Sequence, residues 1–298
     1  MVLVVGSTGT LGSRVVRKLL SGGKPATAVV RDDSSEKAKV LESLGARLVV
    51  GDVKNTVALW PALQGIATIV CTVSATMSGR DGDPIEIVDG KGVQGLIVSA
   101  EKAGVERFIY VSLSPNLGAY FPLAAAKRAA EKRLAGSKLA YTILQPSYFY
   151  ETWFSPLVGF DWANGQVKVY GDGQALVSYL STEDVARAVV SCLDNPDVSR
   201  RSFPMGGPRA LSQREAVAIF EQATGKKMEI EYMSSAVIDG VRSTSTDTWS
   251  NSLFALFQGL VRGDRLPETW DPALKVQPSI TVEDYAKQVV TQAKAVPA

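Results

Sequence analysis

The chain has 298 residues, which is long enough for one large α/β domain or for a domain with an added lobe. Its 32 Lys and Arg residues nearly balance its 30 Asp and Glu residues, so the net charge of +2 does not draw it to nucleic acid or to an anionic membrane. Histidine is absent, which excludes Ser-His-Asp and Cys-His catalysis and histidine-ligated zinc. We expect no metal site.

The two cysteines, Cys71 and Cys192, each lie in an apolar run, so we expect buried free thiols rather than a disulfide. Met1 leads directly into an apolar segment without the features of a signal peptide. No apolar run approaches the length of a membrane span. Together these features predict a soluble, cytoplasmic protein of a reducing compartment, with no membrane or nucleic-acid partner.

The segment from residue 2 to residue 20 contains the strongest motif. Residues 2–5 are branched and apolar, as in a strand buried on both faces, and apolar residues recur at helical spacing over 15–20. Gly6, Gly9 and Gly12 lie between them in a Gly-x-x-Gly-x-x-Gly turn. Strand, glycine-rich turn and helix in this order suit a dinucleotide, because the helix N-terminus then presents free N–H groups to the pyrophosphate.

Each glycine of this turn has an expected purpose. Gly6 permits the tight turn, Gly9 lets the backbone approach the pyrophosphate, and Gly12 allows close packing of helix on strand. The alternative is that the glycines serve packing alone. The cofactor-binding candidates are the whole turn: Gly6, Ser7, Thr8, Gly9, Thr10, Leu11 and Gly12.

Strand and helix patterns alternate over the first 150 residues without a Pro/Ser-rich linker. After the first strand and helix, strands are predicted near 26–30, 47–52, 66–73, 108–112 and 141–146, and helices near 34–44, 84–103 and 123–135. A polar loop is predicted at 79–83. This alternation predicts an α/β fold with a doubly wound parallel sheet of the Rossmann type, an NAD(P)-binding domain over residues 1–150.

Past residue 150 the pattern changes to shorter elements. We predict a smaller C-terminal α+β substrate lobe over residues 151–298, with some of its strands and helices returning to the first domain. Three helix starts carry capping boxes, at 181–184, 212–215 and 281–284. The stretch 234–279 has no clear period; we interpret it as part of a lobe that covers the cofactor, or alternatively as a lid.

The end of the second strand normally meets the adenine ribose. An arginine there suits a 2′-phosphate, whereas an acidic residue suits the free hydroxyls. Arg31 comes first and Asp32 follows, so NADP(H) is favoured over NAD(H), with Lys37 as a candidate second phosphate contact. The alternative is that Arg31 is solvated and Asp32 binds the hydroxyls of NADH.

Ligands of parallel sheets lie beyond the carboxyl ends of the strands, which supplies further candidates. Asp52 and Val53 follow the third strand and could flank the adenine, and Val73 and Ser74 lie at the end of the fourth. Ser112 falls at the end of the fifth strand, where it would hydrogen-bond the acceptor or the nicotinamide carboxamide. Its alternative role is to cap the loop that follows.

Several stretches together resemble the NmrA-like group of atypical short-chain dehydrogenases/reductases. The matching stretches are 4–12, 30–31, 51–52, 104–112, 143–147, 181–186 and 206–212. The resemblance implies a Rossmann-type domain, a small substrate lobe and bound NADP(H). Similar proteins include quinone oxidoreductases, triphenylmethane reductase and isoflavone-type reductases, and also redox-sensing regulators that bind the nucleotide without turnover. Pro146 and Ser147, within a matched stretch, join the cofactor-binding candidates.

The chain departs from the wider superfamily at its Tyr-x-x-x-Lys motif. Leu123 stands four residues before Lys127, and Tyr120, seven residues before it, is not an equivalent. The usual proton donor to a carbonyl oxygen is therefore missing. Lys127 remains a candidate for bonding the nicotinamide ribose or for lowering the pKa of a neighbour. Its alternative role is that of a solvated lysine on an alanine-rich helix.

The catalytic candidates are Lys127, Ser112 and Tyr148. Tyr148 begins an aromatic cluster that would stack on a flat acceptor, or that forms the hydrophobic seam between two lobes. The members of this cluster are Tyr148, Phe149, Tyr150, Trp153 and Phe154.

The missing tyrosine also bears on the substrate, since hydride transfer from a dihydronicotinamide mostly requires positioning. Reduction of a simple ketone creates a basic alkoxide that needs a good proton donor. A quinone or a conjugated cation yields a weakly basic product that tolerates a poor one. The sequence thus predicts an NADPH-dependent reductase of quinone-like or other conjugated aromatic compounds. The alternative is a non-catalytic nucleotide sensor, and an epimerase is disfavoured because it also relies on the missing tyrosine.

Overall fold

The computed structural model of the chain describes residues 1–76 and 82–295 and contains a large and a small β-sheet. Of the polar loop predicted at 79–83, residues 79–81 therefore lie outside the described part. The strands in chain order are β1 (Val2–Val5), β2 (Ala26–Val30), β3 (Arg47–Val50), β4 (Thr68–Cys71), β5 (Arg107–Val111), β6 (Ala140–Pro146), β7 (Phe160–Asp161), β8 (Gln166–Tyr170), β9 (Arg201–Met205) and β10 (Glu229–Met233).

Ten α-helices connect and cover these strands within the described ranges. They are α1 (Thr10–Ser21), α2 (Glu36–Ser43), α3 (Val93–Lys102), α4 (Pro122–Ala135), α5 (Tyr150–Trp153), α6 (Thr182–Ser191), α7 (Gln213–Thr224), α8 (Ser235–Thr244), α9 (Thr248–Arg262) and α10 (Val282–Ala295). No helix in the described part of the chain is both long and apolar enough to cross a membrane.

The large sheet has seven parallel strands in the order β3-β2-β1-β4-β5-β6-β9. Val4 at its centre pairs with Ala28 on one side and with Val70 on the other. All three side chains are buried, because helices cover both faces of the sheet, and this explains the continuous apolar runs in the sequence. The strand order reverses between β1 and β4, where doubly wound sheets bind their ligands. The predicted fold class is confirmed.

The part of the chain after residue 150 builds the small sheet and also returns to the large one. The small sheet is mixed, with the order β10-β8-β7. β9, in contrast, joins the large sheet beside β6, with Leu144 opposite Phe203. The smaller α+β part is thus present as expected, and the division at residue 150 stays a prediction.

The structure bears on four local predictions. The helix predicted over 84–103 begins as a π-helical segment, Glu86–Gly92, before α3. The capping boxes at 212–215 and 281–284 are present, whereas the one at 181–184 is wrong. The buried Asp184 carboxylate accepts instead from the backbone N–H groups of Ser279 and Ile280. The stretch 234–279 contains α8 and α9, and both cysteines are buried free thiols.

Candidate functional site

The turn between β1 and α1 needs glycine at two positions. Gly6 adopts a φ of +86°, which L side chains rarely reach. A Cβ added at Gly12 would lie 2.1 Å from the Gly6 carbonyl oxygen, so the first turn of α1 packs directly on the chain that leaves β1. No side chain caps α1 at Gly9, which leaves its N-terminal amides to an anionic ligand. The geometry fits a pyrophosphate.

The other residues of the turn divide between two cavities. Thr8, Gly9 and Thr10 line a cavity of about 380 Å³ together with Lys37. Leu11 is buried and lines a second cavity on the opposite side of the helix. Ser7 is completely buried and its hydroxyl donates to the Val29 carbonyl at 2.6 Å. The Ser7 hydroxyl therefore fastens β1 to β2, and only its backbone remains for a cofactor.

An ion cluster follows β2, where the sequence predicts the adenosine end of the dinucleotide. We call the predicted path of the dinucleotide, from Arg31 past Gly9 to Ser74, the nucleotide groove. Asp83 lies between two cations: its Oδ1 is 2.6 Å from Lys54 Nζ, and its Oδ2 pairs with the Arg31 guanidinium. Asp52 Oδ1 accepts from the Lys54 backbone N–H at 2.8 Å. Arg31 is thus neither simply solvated nor unpaired. Asp32 Oδ1 accepts hydrogen bonds from Ser34, which shapes the turn into α2.

The segments that follow β3 and β4 each pack on a helical segment. Val53 is buried, and its carbonyl oxygen would lie 2.8 Å from a Cβ at Gly92 on the π-helical segment. Val73 is largely buried and uses its carbonyl oxygen to accept a hydrogen bond from Lys127. Ser74 is exposed and lines the second cavity.

Lys127 is buried, so its interpretation as a solvated lysine is wrong. Its ammonium donates to Val73 O at 2.7 Å and lies 3.2 Å from Asp89 Oδ1. The other carboxylate oxygen of Asp89 accepts from the Ala75 backbone N–H at 2.8 Å. This one carboxylate therefore holds both the lysine and the loop after β4. Such a buried ion needs a counter-charge, which explains the pairing.

Sequence reasoning missed Asp89, although a signal was present. A carboxylate interrupts the buried stripe of the helix predicted over 84–103, directly after Val88. An ionisable side chain at a buried helix position requires a partner. Only the fold shows that this partner is Lys127.

The second cavity, which we call the acceptor cavity, has a volume of about 170 Å³ and lies at the ends of β4, β5 and β6. Ser112 and Thr76 line it, and their buried hydroxyl oxygens find no hydrogen-bond partner in the described part of the chain. Ser112 therefore does not cap its loop. Buried hydroxyls are normally satisfied, so these two indicate a polar group of a ligand. Lys127 and the apolar Leu123 stand in the same wall.

The members of the aromatic cluster lie in two different environments. Tyr148, Phe149 and Trp153 line the acceptor cavity, whereas Tyr150 and Phe154 stack on each other in the core of the C-terminal part. The Tyr148 hydroxyl donates to the carbonyl of Leu256 at 2.9 Å. Burial, with the nearby Asp264 carboxylate, raises the pKa of this phenol well above its usual value. Tyr148 thus offers a ring surface rather than an acidic proton.

Asp264 ties the C-terminal part to the ends of β5 and β6. Its buried carboxylate accepts from Ser147 Oγ at 2.7 Å, from Ser114 Oγ at 2.6 Å and from Asn116 Nδ2 at 2.7 Å. Pro146, the last residue of β6, lines the acceptor cavity beside Ser147. The sequence carried no signal for Asp264, because its partners lie more than a hundred residues earlier in the chain.

Helix α9 covers the acceptor cavity. The Trp249 indole N–H donates to the Thr76 carbonyl at 2.6 Å. Leu256, two turns further along the helix, lines the cavity. Ser252 Oγ accepts from the Leu123 backbone N–H at 3.1 Å and so caps the start of α4. Tyr120 is exposed beneath the guanidinium of Arg242 and lies outside the cavity wall, which agrees with its not replacing the missing tyrosine.

Known sequences similar to this chain include a nucleotide-binding family and several named proteins. A family model described as NAD(P)H-binding matches residues 6–196. Photosystem II assembly factor Ycf39 of Synechocystis sp. is 30% identical, over 96% of this chain and 90% of that protein. The NAD(P)H azoreductase of Xenophilus azovorans is 28% identical, over 96% of this chain and 97% of that protein.

Solved structures share the fold over almost the full length. The NADPH-dependent quinone oxidoreductase QOR2 of Escherichia coli, complexed with NADPH, superposes with a TM-score of 0.74 at 22% identity and covers 97% of this chain and 99% of that one. The triphenylmethane reductase of Citrobacter sp., complexed with NADP(H), gives a TM-score of 0.76 at 19% identity, again over 97% and 99%. At these identities the likeness is one of fold.

Proposed function

Because this chain belongs to the NAD(P)H-binding family, as its resemblance to the NmrA-like group predicted, we propose that it is an NADPH-preferring reductase of quinone-like or other conjugated aromatic compounds. The observation that carries the proposal is the acceptor cavity. Its wall combines a buried lysine with two buried hydroxyls that have no partner among residues 1–76 and 82–295, and its other side chains are mostly apolar or aromatic. The names of the azoreductase, quinone oxidoreductase and triphenylmethane reductase relatives point to acceptors of the same flat, conjugated kind.

The residues around the cavity suit positioning more than proton supply. Lys127 has its ammonium held by the Val73 carbonyl and by Asp89, which leaves the third N–H for a ribose hydroxyl. A bound dihydronicotinamide supplies the hydride. The Ser112 and Thr76 hydroxyls would donate to the acceptor or to the carboxamide. Leu123 supplies no proton, so an acceptor that gives a delocalised, weakly basic product is favoured.

The preference for NADPH over NADH is part of the proposal and rests on Arg31. Its guanidinium lies at the end of β2, where doubly wound folds meet the adenine ribose, and it can bond a phosphate in a bidentate manner. Lys37 lines the adjacent cavity beside Thr8 and Gly9. Two cations near this end of the groove support binding of a 2′-phosphate.

The test is a turnover assay of the full chain with NADPH against quinones, azo dyes, triphenylmethane dyes and enones. We expect NADPH oxidation with at least one class, and stronger rates with NADPH than with NADH. Binding of NADPH without oxidation by any acceptor would overturn the reductase proposal while leaving the dinucleotide site intact.

A second candidate function is that of an NAD(P)(H)-binding protein without turnover, for which one observation speaks. Helix α9 contributes Leu256 to the wall of the acceptor cavity, and its Trp249 donates a hydrogen bond to the carbonyl of Thr76, another residue of that wall. A relative that is 30% identical is named as a photosystem II assembly factor and not as a reductase. In this case the full chain should bind NADPH and NADP⁺ with different affinities and oxidise NADPH with no acceptor.

A further inference from the structure

In the ion cluster at the predicted adenosine end, the carboxylate is buried and the two cations are partly exposed. The Asp83 side chain is only 5% exposed, whereas those of Arg31 and Lys54 are 39% and 32% exposed. The nearly buried carboxylate is therefore shared by two cations that both keep part of their surface exposed. Lys54 also donates to the Gly82 carbonyl at 3.0 Å, which fastens the segment that carries Asp83.

A 2′-phosphate at the end of β2 would need the same donors that Asp83 already occupies. A carboxylate and a phosphate both bind guanidinium through oxygen atoms in charge-assisted hydrogen bonds. Because Asp83 takes N–H groups of both Arg31 and Lys54, a phosphate must share or displace these contacts. A free 2′-hydroxyl carries no charge and gains little from them. The cluster thus affects NADPH and NADH differently.

We propose that Asp83 is a specificity-determining residue that weakens the preference of this site for NADPH over NADH by neutralising Arg31 and Lys54. The inference rests on the proposed dinucleotide site and adds a residue that the glycine turn and the arginine do not reveal. It makes the chain tolerant of both cofactors. NADH binds with the cluster intact, whereas NADPH binds at the cost of rearranging it.

Asp83 keeps its charge under ordinary conditions. Burial opposes ionisation, but the hydrogen bonds and charges of Lys54 and Arg31 outweigh it and hold the pKa of the carboxyl below its usual 3.8. Asp83 is therefore charged, and able to compete with a phosphate, at neutral pH.

The experiment measures the binding of four nucleotides to the full chain by calorimetry: NADPH, NADH, adenosine 2′,5′-bisphosphate and 5′-AMP. The last two test the adenosine end without the nicotinamide. For Asp83→Asn we expect the affinity ratio of NADPH to NADH to rise about three- to tenfold, and the ratio of the bisphosphate to 5′-AMP to rise equally. Arg31→Ala should lower both ratios.

The matched control is Asp33→Asn, which removes the same charge two residues from Arg31 on an exposed side chain. We expect no more than a small change in either ratio. In a second variant, Lys54→Met, Arg31 is the one cation of this cluster that still pairs with Asp83. We expect the affinity ratio of NADPH to NADH to fall about threefold. Because this expected fall is opposite to the rise expected for Asp83→Asn, Lys54→Met tests the inference even if Asp83→Asn folds poorly.

Two outcomes overturn the inference and can be distinguished. Unchanged ratios in Asp83→Asn, or an equal rise in Asp33→Asn, remove the role of Asp83 while the dinucleotide site stands. Failure of the unmodified chain to bind any of the four nucleotides removes the site and the inference together. Absence of reductase activity affects neither measurement.

Discussion

The two ends of the nucleotide groove hold their charges in different ways. At the nicotinamide end Lys127 and Asp89 are almost completely buried and face each other at 3.2 Å. At the adenosine end Arg31 and Lys54 are about one-third exposed and share Asp83 beneath them. Burial makes the first pair costly to break, because either ion alone would be left without water or counter-charge. Partial exposure of Arg31 and Lys54 makes the contacts of the second cluster easier to exchange, because water compensates these two cations for a lost contact.

The comparison teaches that similar ion pairs serve different purposes. The buried pair positions Lys127 and, through the Ala75 N–H, the loop after β4. The exposed cluster, in our proposal, adjusts which nucleotide binds. We therefore expect changes at the first to appear mainly in stability and changes at the second mainly in selectivity. Four predictions test this difference, in order of decreasing effect.

Asp89→Asn should give the largest effect. The amide keeps the shape of the side chain but leaves the Lys127 ammonium buried without a counter-charge, so the free energy of unfolding should fall by about 3–5 kcal/mol. Denaturant titration measures this. Asp33→Asn, the same change on an exposed side chain, should stay within about 0.5 kcal/mol. A loss at position 89 below about 1 kcal/mol would remove the contrast between the two ends.

Gly12→Ala tests the turn that joins the two ends. The new methyl group would meet the Gly6 carbonyl oxygen at 2.1 Å, so the free energy of unfolding should fall by about 1–3 kcal/mol. Nucleotide binding should weaken at least about tenfold for NADPH and NADH alike, since the pyrophosphate is common to both. Gly136→Ala is the control, because its Cβ would make an ordinary 3.7 Å contact with the Lys132 carbonyl. Normal binding by Gly12→Ala would speak against the pyrophosphate site.

Ser112→Ala separates function from stability at the nicotinamide end. Its hydroxyl has no partner in the described residues, so stability should change by less than about 0.5 kcal/mol. The value of kcat/KM with a responsive acceptor should fall about tenfold, the worth of one hydrogen bond to a ligand. Ser178→Ala is the counterpart, because Ser178 bonds the backbone of Leu266 and should lose about 1 kcal/mol of stability. Equal destabilisation of both variants would contradict a ligand-directed Ser112.

Glu183→Gln should give the smallest effect and calibrates a partly exposed ion pair away from the groove. Burial raises the pKa of Glu183, but Lys18 and Arg14 outweigh it and lower the pKa below its usual 4.5. Because the folded-state pKa is depressed, the stabilisation is present above the unfolded pKa and is lost as the pH falls through the folded pKa. The stability difference from the unmodified chain should be below about 1 kcal/mol at neutral pH and vanish in acid.

The control for this measurement is Glu42→Gln, on the exposed face of α2. Its stability should equal that of the unmodified chain across the same pH range. A pH-independent loss in Glu183→Gln would show that packing, rather than charge, joins α1 to α6.

The alternation of strands and helices and the glycine turn were readable from the sequence because each depends on neighbouring residues, and the absence of histidine is a matter of composition. Branched runs such as 2–5 predict buried strands, and Gly6 and Gly12 predict a tight turn wherever they lie in the chain. The missing tyrosine at Leu123 is likewise a matter of spacing. These local features determined the fold class and the region of the nucleotide site.

Tertiary structure alone decided what each candidate side chain contacts. Lys127 was open to two interpretations until the fold buried it against Asp89, and Arg31 until it met Asp83. Asp264 gained its role because the chain after α9 returns to the ends of β5 and β6. Burial and ion pairing depend on contacts between segments far apart in the chain, and the periodicity of the sequence does not predict these contacts. The sequence by itself therefore determined the fold class and predicted where a dinucleotide binds, and the packing of distant segments decided which charges are held there and how firmly.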